Sequence, residues 1–225
     1  MNAESSVAAI ILAAGLSSRL GGVKKEFQKL DTGITVIETA VRAFASISSI
    51  QTIVIAIPAN TEKSAREAIS LELLSAGKPK ILFVTGGNTR QASVLNALSL
   101  LVNYNQQYVL IHDGARPWVS PLLIENIIKA VKKYDAVIPL LPITETPKEI
   151  TGDFINRHLK RANVGVAQTP QAFKFPDIFS IHEKASQIDE EFTDDAEIWG
   201  RFAGQVAVIP GESANRKITF PEDLY

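Results

Sequence analysis

The residues with the clearest chemical potential lie in a loop close to the start of the chain. This loop carries three cations, Arg19, Lys24 and Lys25, and it follows a run of small residues at 13–15. The small residues come directly after an apolar run, 7–12, which is typical of a fully buried parallel strand. Backbone N–H groups that a ligand can approach closely, together with cations, suit phosphate binding. An ordinary strand followed by a solvated basic loop would give a similar pattern.

Two familiar phosphate-binding patterns are absent from this loop. The dinucleotide fingerprint needs Gly-x-Gly-x-x-Gly, but Gly15 is followed by Leu16 and Ser17. The P-loop needs a Gly-Lys pair after four intervening residues, and the position of its second glycine is occupied by Leu20. A nicotinamide-dependent oxidoreductase is therefore disfavoured.

Two further polar clusters follow later strands of the predicted sheet. The first is Gly-Gly-Asn-Thr-Arg at 86–90, with Ser93 one turn into the next helix. The second contains Asp113 and Arg116. Because ligands of open parallel sheets bind at the carboxyl ends of the strands, we expect the three loops to converge on one site.

Apolar runs and helical patterns alternate along most of the chain, which predicts a doubly wound α/β fold with a mostly parallel sheet. The predicted strands cover 7–12, 52–57, 81–84, 108–111, 136–140 and 206–209. The predicted helices cover 35–44, 61–74 with Thr61 as N-cap, a stretch that ends near 101, 121–133, 176–187, one that opens at 194–195, and a last turn at Pro221. A chain of 225 residues fits a single domain.

The alternation breaks between about 142 and 168. This stretch has the pattern of an extended hairpin with a turn at 151–153, and it is too polar to be a core element. We interpret it as a protruding β-arm that packs on a second subunit.

The composition excludes several classes of function. The net charge of −1 argues against a general binder of nucleic acids or membrane surfaces. The chain has no cysteine, so disulfides, thiolate metal sites and cysteine nucleophiles are excluded. The apolar run near the start is too short to span a bilayer and lacks a basic flank. We therefore expect a cytoplasmic protein without a signal or an anchor.

Seven short motifs are distributed over nearly the whole chain. They are Ala-Ala-Gly-x-x-x-Arg at 13–19, Gly-Gly-x-x-Arg-x-x-Ser-Val at 86–94, His-Asp-x-Ala-Arg-Pro at 112–117, Glu-Thr-x-Lys at 145–148, Gln-Thr-Pro-Gln-x-Phe at 168–173, Thr-Asp-Asp at 193–195 and Asn-x-Lys-Ile-Thr-x-Pro-Glu-Asp-Leu at 215–224. In this order they resemble the motifs of the 2-C-methyl-D-erythritol 4-phosphate cytidylyltransferases, the CTP-dependent enzymes of the non-mevalonate isoprenoid pathway. The resemblance implies a Rossmann-like nucleotidyltransferase fold, CTP and a polyol phosphate as substrates, and a homodimer formed through the β-arm.

The resemblance also implies roles for particular residues. The catalytic residues would be Arg19, Lys25 and Lys217, which neutralise the triphosphate and the developing charge. The nucleotide would be bound by Ala13, Ala14, Gly15, Gly87, Asn88, Ser93 and Asp113. The acceptor would be bound by Arg116, Thr146, Arg161 and Thr169, some of which reach across from the second subunit. Asp113 would bind Mg²⁺, the expected cofactor.

Four residues depart from the family pattern. Ser17 replaces a glycine, Lys24 and Glu26 replace the proline and the glutamine around Lys25, and Asn88 replaces an acidic residue. A carboxylate at 26 could pair with the neighbouring lysine and weaken triphosphate binding. Two alternatives therefore stay open, a ribitol 5-phosphate cytidylyltransferase with the same nucleotide-side motifs and a non-catalytic homologue that binds nucleotide without turnover.

Overall fold

The described part of the chain forms one mixed eight-stranded sheet with helices on both faces, and one separate two-stranded hairpin. A computed structural model describes residues 6–15 and 24–224. The strands are β1 Val7–Leu12, β2 Ile50–Ile57, β3 Lys80–Thr85, β4 Tyr108–Asp113, β5 Ala136–Pro142, β6 Lys148–Thr151, β7 Phe154–His158, β8 Gly165–Ala167, β9 Gln171–Lys174 and β10 Ala207–Pro210. The helices are α1 Val36–Ala45, α2 Glu62–Glu67, α3 Leu71–Ser75, α4 Arg90–Leu101, α5 Pro121–Tyr134, α6 Asp177–Ala185 and α7 Asp195–Phe202, with 3-10 turns at Lys25–Phe27, Arg161–Asn163 and Pro221–Leu224. Among these described helices, none is both long and apolar enough to cross a membrane.

Strand β1 lies at the centre of the sheet, between β4 and β2, and runs parallel to both. The strand order is β10-β5-β9-β4-β1-β2-β3, and β8 pairs with β5. The predicted doubly wound, mostly parallel α/β fold is therefore confirmed. The prediction omitted β8 and β9, which run antiparallel to their neighbours. Both strands are too short to give a periodic signal of their own, and their pairing depends on the strands beside them.

The side chains of β1 contribute alternately to two cores, one on each face of the sheet. Val7, Ala9 and Ile11 pack with α1 and α5, whereas Ala8 and Ile10 pack in the core that contains α4, α6 and α7. All five side chains are fully buried. A strand that is covered on both faces needs an uninterrupted apolar run, because successive side chains point to opposite faces. The two cores therefore fix the end of β1, where the candidate phosphate loop begins.

The predicted helix over 61–74 is wrong, because the chain forms two short helices there, α2 and α3. Between them, Ser70 has an extended backbone with ψ of 146°. The carbonyl of Ala68 accepts a hydrogen bond of 2.6 Å from the hydroxyl of Thr35, which favours the break. The predicted cap is also wrong, because the hydroxyl of Thr61 donates to a preceding backbone carbonyl and makes no capping bond.

Strands β6 and β7 form a hairpin that is separate from the main sheet. All but one of its strand residues are exposed, including the apolar Ile150, Phe154 and Ile155. The hairpin expected within 142–168 is therefore present, but it is shorter than predicted, because β8 has already returned to the main sheet. Packing of this arm on a second subunit stays a prediction.

The buried amide of Gln171 on β9 fixes the start of α7. Its Oε1 accepts from the backbone N–H of Ala196 at 3.1 Å, and its Nε2 donates to Oδ2 of Asp194 at 2.8 Å. Asp194 in turn caps the helix, because its Oδ1 accepts from the N–H of Glu197 at 2.8 Å. The strand that the sequence did not predict therefore positions a helix beside the candidate site.

Replacing Gln171 with methionine should destabilise the protein. Methionine has a similar volume but cannot make either hydrogen bond, so we expect the free energy of unfolding to fall by about 1–3 kcal/mol. Urea denaturation of the purified variant measures this change. Gln187→Met, at an exposed position just after α6, is the matched control and should change stability by less than about 0.5 kcal/mol. A Gln171→Met protein as stable as the wild type would contradict this role.

Candidate active site

A cavity of about 710 Å³ opens at the carboxyl ends of β1, β3 and β4. The three loops singled out in the sequence contribute to its walls, together with the C-terminal segment. Of the predicted site residues, it is lined by Ala14, Gly15, Lys25, Gly87, Asn88, Ser93, Asp113 and Lys217. The volume lies in the range of small-molecule sites, so it suits a nucleotide.

One wall of this cavity requires glycine because the backbone passes very close to its neighbours. A Cβ on Gly86 would collide with the Cβ of Ala14 and would lie 2.8 Å from Oγ of Ser93. A Cβ on Gly87 would collide with the side chain of Ala92. Oγ of Ser93 accepts from the N–H of Gly87 at 3.1 Å, which fixes the loop. Close packing against Ala14, Ala92 and Ser93 therefore fixes the course of the backbone along this wall.

The carboxylate of Asp113 lies at the end of β4 among three cations. Nζ of Lys217 is 2.8 Å from its Oδ2, Nε of Arg116 is 3.6 Å from the same oxygen, and Nε of Arg90 is 3.8 Å from its Oδ1. Burial acts to raise the pKa of Asp113, but the three cations outweigh it and hold the pKa well below its usual range. The carboxylate is therefore ionised at neutral pH. We call these four residues the charge cluster.

A second, smaller cavity of about 230 Å³ adjoins the first. Every residue of the charge cluster lines it, together with Thr169 and other polar residues. The two cavities share Arg90, Asp113 and Lys217. A ligand in each cavity could therefore place a phosphate at this junction, where cations are already gathered.

A chain of hydrogen bonds holds the end of β4. The backbone N–H of Asp113 donates to Oγ1 of Thr169 at 3.0 Å, and this hydroxyl lies 3.0 Å from Nδ1 of His112. Nε2 of His112 lies 3.0 Å from the carbonyl of Arg116. A carbonyl only accepts, so Nε2 carries the ring proton and Nδ1 accepts from the threonine. Burial lowers the pKa of His112 to about 4, so the ring is neutral at pH 7.

The segment that carries Lys217 is tied to the sheet by Asn215. The fully buried side chain of Asn215 donates to the carbonyl of Thr169 at 2.8 Å. The backbone carbonyl of Asn215 accepts from Nη1 of Arg116 at 2.8 Å and from Nε2 of Gln168 at 3.1 Å. Arg116, predicted to bind the acceptor, therefore also holds this segment in place.

The residues predicted in the first basic loop differ in their contacts and in whether they line the larger cavity. Lys25 lines the larger cavity, and its Nζ donates to a carbonyl of the C-terminal segment at 2.7 Å. Lys24 donates to the carbonyl of Gly15 at 2.6 Å. Glu26 is buried and lines the same cavity. Arg19, predicted to be catalytic, lies outside the described residues.

Three predicted site residues within the described ranges line neither of these two cavities. Ala13 is buried in the core just beyond β1. Thr146 and Arg161 are exposed beside the hairpin, where Nη1 of Arg161 donates to the carbonyl of Thr144 at 2.8 Å. Their contacts with ligands stay predictions.

No specific role was predicted for Arg90, Gln168 or Asn215, although each contributes to the site and Arg90 belongs to the predicted polar cluster at 86–90. All three fall within the motifs quoted above, but a motif does not reveal which side chain faces a cavity. Their side-chain hydrogen bonds join positions 44 to 105 residues apart, such as Arg90 with Asp195, and no local pattern predicts such pairs.

The fold is that of a nucleotidyltransferase, and it places a cavity at the strand ends with a cationic junction to a second polar cavity. The model of one family, described as IspD, 2-C-methyl-D-erythritol 4-phosphate cytidylyltransferase, matches residues 7–225. The chain belongs to this family.

Relatives and solved structures agree with this assignment. The chain is 36% identical over 223 residues to the bifunctional enzyme IspD/IspF of Bartonella tribocorum, covering 97% of this chain and 54% of that protein. It is 34% identical over 215 residues to the 2-C-methyl-D-erythritol 4-phosphate cytidylyltransferase of Bacillus mycoides, covering 96% and 93%. The crystal structure of 4-diphosphocytidyl-2C-methyl-D-erythritol synthase from Anaerococcus prevotii superimposes with a TM-score of 0.86 at 30% identity, covering 98% and 93%. The chain spans about half the length of the bifunctional relatives that it matches.

The neutral ring of His112 should make stability depend on pH. The pKa is about 4 in the folded protein and 6.5 for an unperturbed histidine. The neutral form therefore stabilises the fold fully above pH 6.5, and this contribution is lost as the pH falls from 6.5 to 4, by roughly 3 kcal/mol in total. Urea denaturation between pH 4 and 7, with EDTA present, measures the effect.

Comparison with His112→Gln isolates this contribution from the carboxylates that titrate in the same range. The variant should be less stable at pH 7 but should lose less stability on acidification. His158→Gln, at an exposed position on β7, is the control and should follow the wild-type profile. Equal slopes for His112→Gln and wild type would show that the ring is not held neutral.

Proposed function

We propose that the protein transfers the cytidylyl group of CTP to 2-C-methyl-D-erythritol 4-phosphate and releases pyrophosphate. Its family membership supports this reaction, and the name of the Bacillus mycoides relative describes it. The main structural support for the proposal is that the two cavities adjoin at the charge cluster. A nucleotide in the larger cavity and a polyol phosphate in the smaller one would bring their phosphates together there.

The chemistry needs positioned cations more than a base. A phosphate oxygen of the acceptor attacks the α-phosphorus of CTP, a new P–O bond forms, and the bond to the β-phosphate breaks as pyrophosphate leaves with the electron pair. The acceptor is already an anion near neutral pH, so no strong general base is required. The barrier is dominated by the approach of two anions, which fixed positive groups lower by positioning and charge neutralisation.

Lys217 and Lys25 are the cations best placed for the nucleotide. Both line the larger cavity, and Lys217 also lines the smaller one. We propose that Lys217 binds the α-phosphate, because its Nζ lies at the junction, where it donates a hydrogen bond to Oδ2 of Asp113. We assign the remaining phosphates to Lys25, with Arg19 as a further predicted partner. Arg116 lines only the acceptor side.

The nucleotide base would bind against the glycine-rich wall. Gly86 and Gly87 line this wall and have no side chain between their backbone and a ligand. Asn88 lines the same wall and carries both a donor and an acceptor in its amide. We therefore propose that this wall reads cytosine largely through the backbone.

The site fits a Mg²⁺ ion that is held mainly by the substrate. No group of three or more metal-binding side chains occurs among the residues that the structure describes. Mg²⁺ is commonly held by one or two carboxylates together with substrate phosphates, and Asp113 supplies one carboxylate at the junction. Oδ1 of Asp113 is the oxygen with the more distant cation, because Nε of Arg90 lies 3.8 Å from it whereas Nζ of Lys217 lies 2.8 Å from Oδ2. When bound, the ion would offset negative charge on the phosphate oxygens.

We also propose that the protein acts as a homodimer in the cytoplasm. The exposed apolar residues of the hairpin, Ile150, Phe154 and Ile155, would be covered by a second subunit. Thr146 and Arg161 lie away from this chain's cavities, so their predicted contacts with the acceptor would be made in the partner's site.

Pyrophosphate release by the purified protein tests the proposal. We expect release with CTP, Mg²⁺ and 2-C-methyl-D-erythritol 4-phosphate, and a fall in kcat of about 100-fold or more in Lys217→Ala, because a cation at the transition state is removed. Lys132→Ala, on the exposed face of α5, is the matched control and should retain wild-type rates.

Two other results would contradict the proposal. Preference for ribitol 5-phosphate would assign the same site to a different acceptor. If the protein binds CTP but releases no pyrophosphate with either acceptor, it would be the non-catalytic homologue that the altered Lys24–Glu26 stretch left open.

A further inference from the structure

Arg90 occupies a position that neither the motifs nor the proposed mechanism explains. It is the first residue of α4 and lines both cavities, together with Asp113 and Lys217. One third of its side chain is exposed. A cation at the wall shared by two cavities can contact a ligand in either of them.

A buried carboxylate holds the guanidinium of Arg90 in this position. Its Nη2 donates to Oδ2 of Asp195 at 2.7 Å, and the side chain of Asp195 is fully buried. Asp195 begins α7, and the amide of Gln171 docks that helix end on the sheet. The anchor of Arg90 is therefore itself fixed by the fold.

A second buried residue lies behind this anchor. Nε2 of His182 is 3.2 Å from Oδ1 of Asp195, and its side chain is also fully buried. The contact lacks hydrogen-bond geometry. Asp195 thus lies between Arg90 and His182 with little freedom to move.

The guanidinium keeps most of its donors available for an anion. An arginine carries five N–H donors, and within the described ranges Arg90 gives one to Asp195. Its distance of 3.8 Å from Asp113 is too long for a hydrogen bond. The planar fork of a guanidinium matches two oxygens of a phosphate, which a lysine cannot do.

The wall of the smaller cavity presents more cations than carboxylates. It is lined by three cations, Arg90, Arg116 and Lys217, and by two carboxylates, Asp113 and Asp194. The third carboxylate, Asp195, is buried behind Arg90. The terminal phosphate of a small polyol phosphate carries the complementary charge and exposes three oxygens.

We propose, on the basis of the proposed function, that Arg90 binds the phosphate of the acceptor at the junction and that Asp195 is the positioning residue that orients it. The alternative is purely structural, in which the ion pair only docks α7 against α4. The acceptor phosphate is a better ligand for Arg90 than the nucleotide, because the residues beside Asp195 line only the smaller cavity, in which we place the acceptor. These residues are Thr193, Asp194 and Gln171.

Acceptor binding and turnover, measured separately, test this assignment. Calorimetry with a non-hydrolysable CTP analogue gives the Kd of the nucleotide, and of 2-C-methyl-D-erythritol 4-phosphate in its presence. Steady-state rates give KM and kcat. In Arg90→Gln we expect the Kd and KM of the acceptor to rise at least tenfold, while the Kd of the nucleotide changes less than twofold.

Two further variants separate binding from structure. Arg90→Lys keeps the charge and can still pair with Asp195, but it loses the fork, so the acceptor Kd should rise although the fold is retained. Asp195→Asn should raise the acceptor Kd by less than Arg90→Gln, since the guanidinium is present but less fixed. Arg42→Gln, which breaks an arginine–carboxylate pair with Glu38 on α1, is the matched control and should leave every constant unchanged.

The outcomes distinguish the two proposals. An unchanged acceptor Kd in folded Arg90→Gln and Arg90→Lys overturns the assignment of Arg90, and so does an equal loss of nucleotide binding. If the wild type binds the acceptor without turnover, the proposed function fails, but the acceptor Kd of the variants still decides the role of Arg90. If the wild type does not bind the acceptor, both proposals are wrong.

Discussion

The carboxylate of Asp113, surrounded by Lys217, Arg116 and Arg90, is the interaction on which the site depends. Without this counter-charge, three cations gathered in a partly buried site would repel one another. Each partner belongs to a different part of the chain, so one carboxylate joins β4, the start of α4 and the C-terminal segment. The cations are consequently fixed before any ligand arrives, and fixed charges stabilise a transition state more effectively than charges that must first reorganise.

Neutral side chains between the end of β8 and the first residue of β9 hold this arrangement in place. Gln168 binds the backbone at Glu212 and Asn215, Thr169 links Asp113 to His112, and Gln171 docks the start of α7. These three side chains are almost completely buried. A short antiparallel insertion in an otherwise parallel sheet thus connects the charge cluster to both elements that flank it.

This insertion also explains how far the sequence could predict the structure. The apolar run at 7–12 and the regular alternation of elements are local signals, and they predicted the parallel sheet and the convergence of three loops. Strand β9 has no such signal, because its pairing is supplied by β4 and β5.

The same distinction applies to the site residues. Motifs mark Lys217, Asp113 and Asp195 alike, but no motif reveals that Asp195 pairs with Arg90, which is distant in the chain. The helix break at Ser70 depends likewise on a tertiary hydrogen bond. Predictions for Thr146 and Arg161 concern a second subunit, about which a single chain gives no geometric information.

The most direct test of the account is a crystal structure of the protein with a non-hydrolysable CTP analogue and 2-C-methyl-D-erythritol 4-phosphate. We predict that the α-phosphate and the acceptor phosphate both lie at the junction, with Lys217 and Arg90 within hydrogen-bonding distance of their oxygens. A complex in which the phosphates lie away from Asp113 and its cations would contradict the claim that the junction of the two cavities is where the reaction takes place.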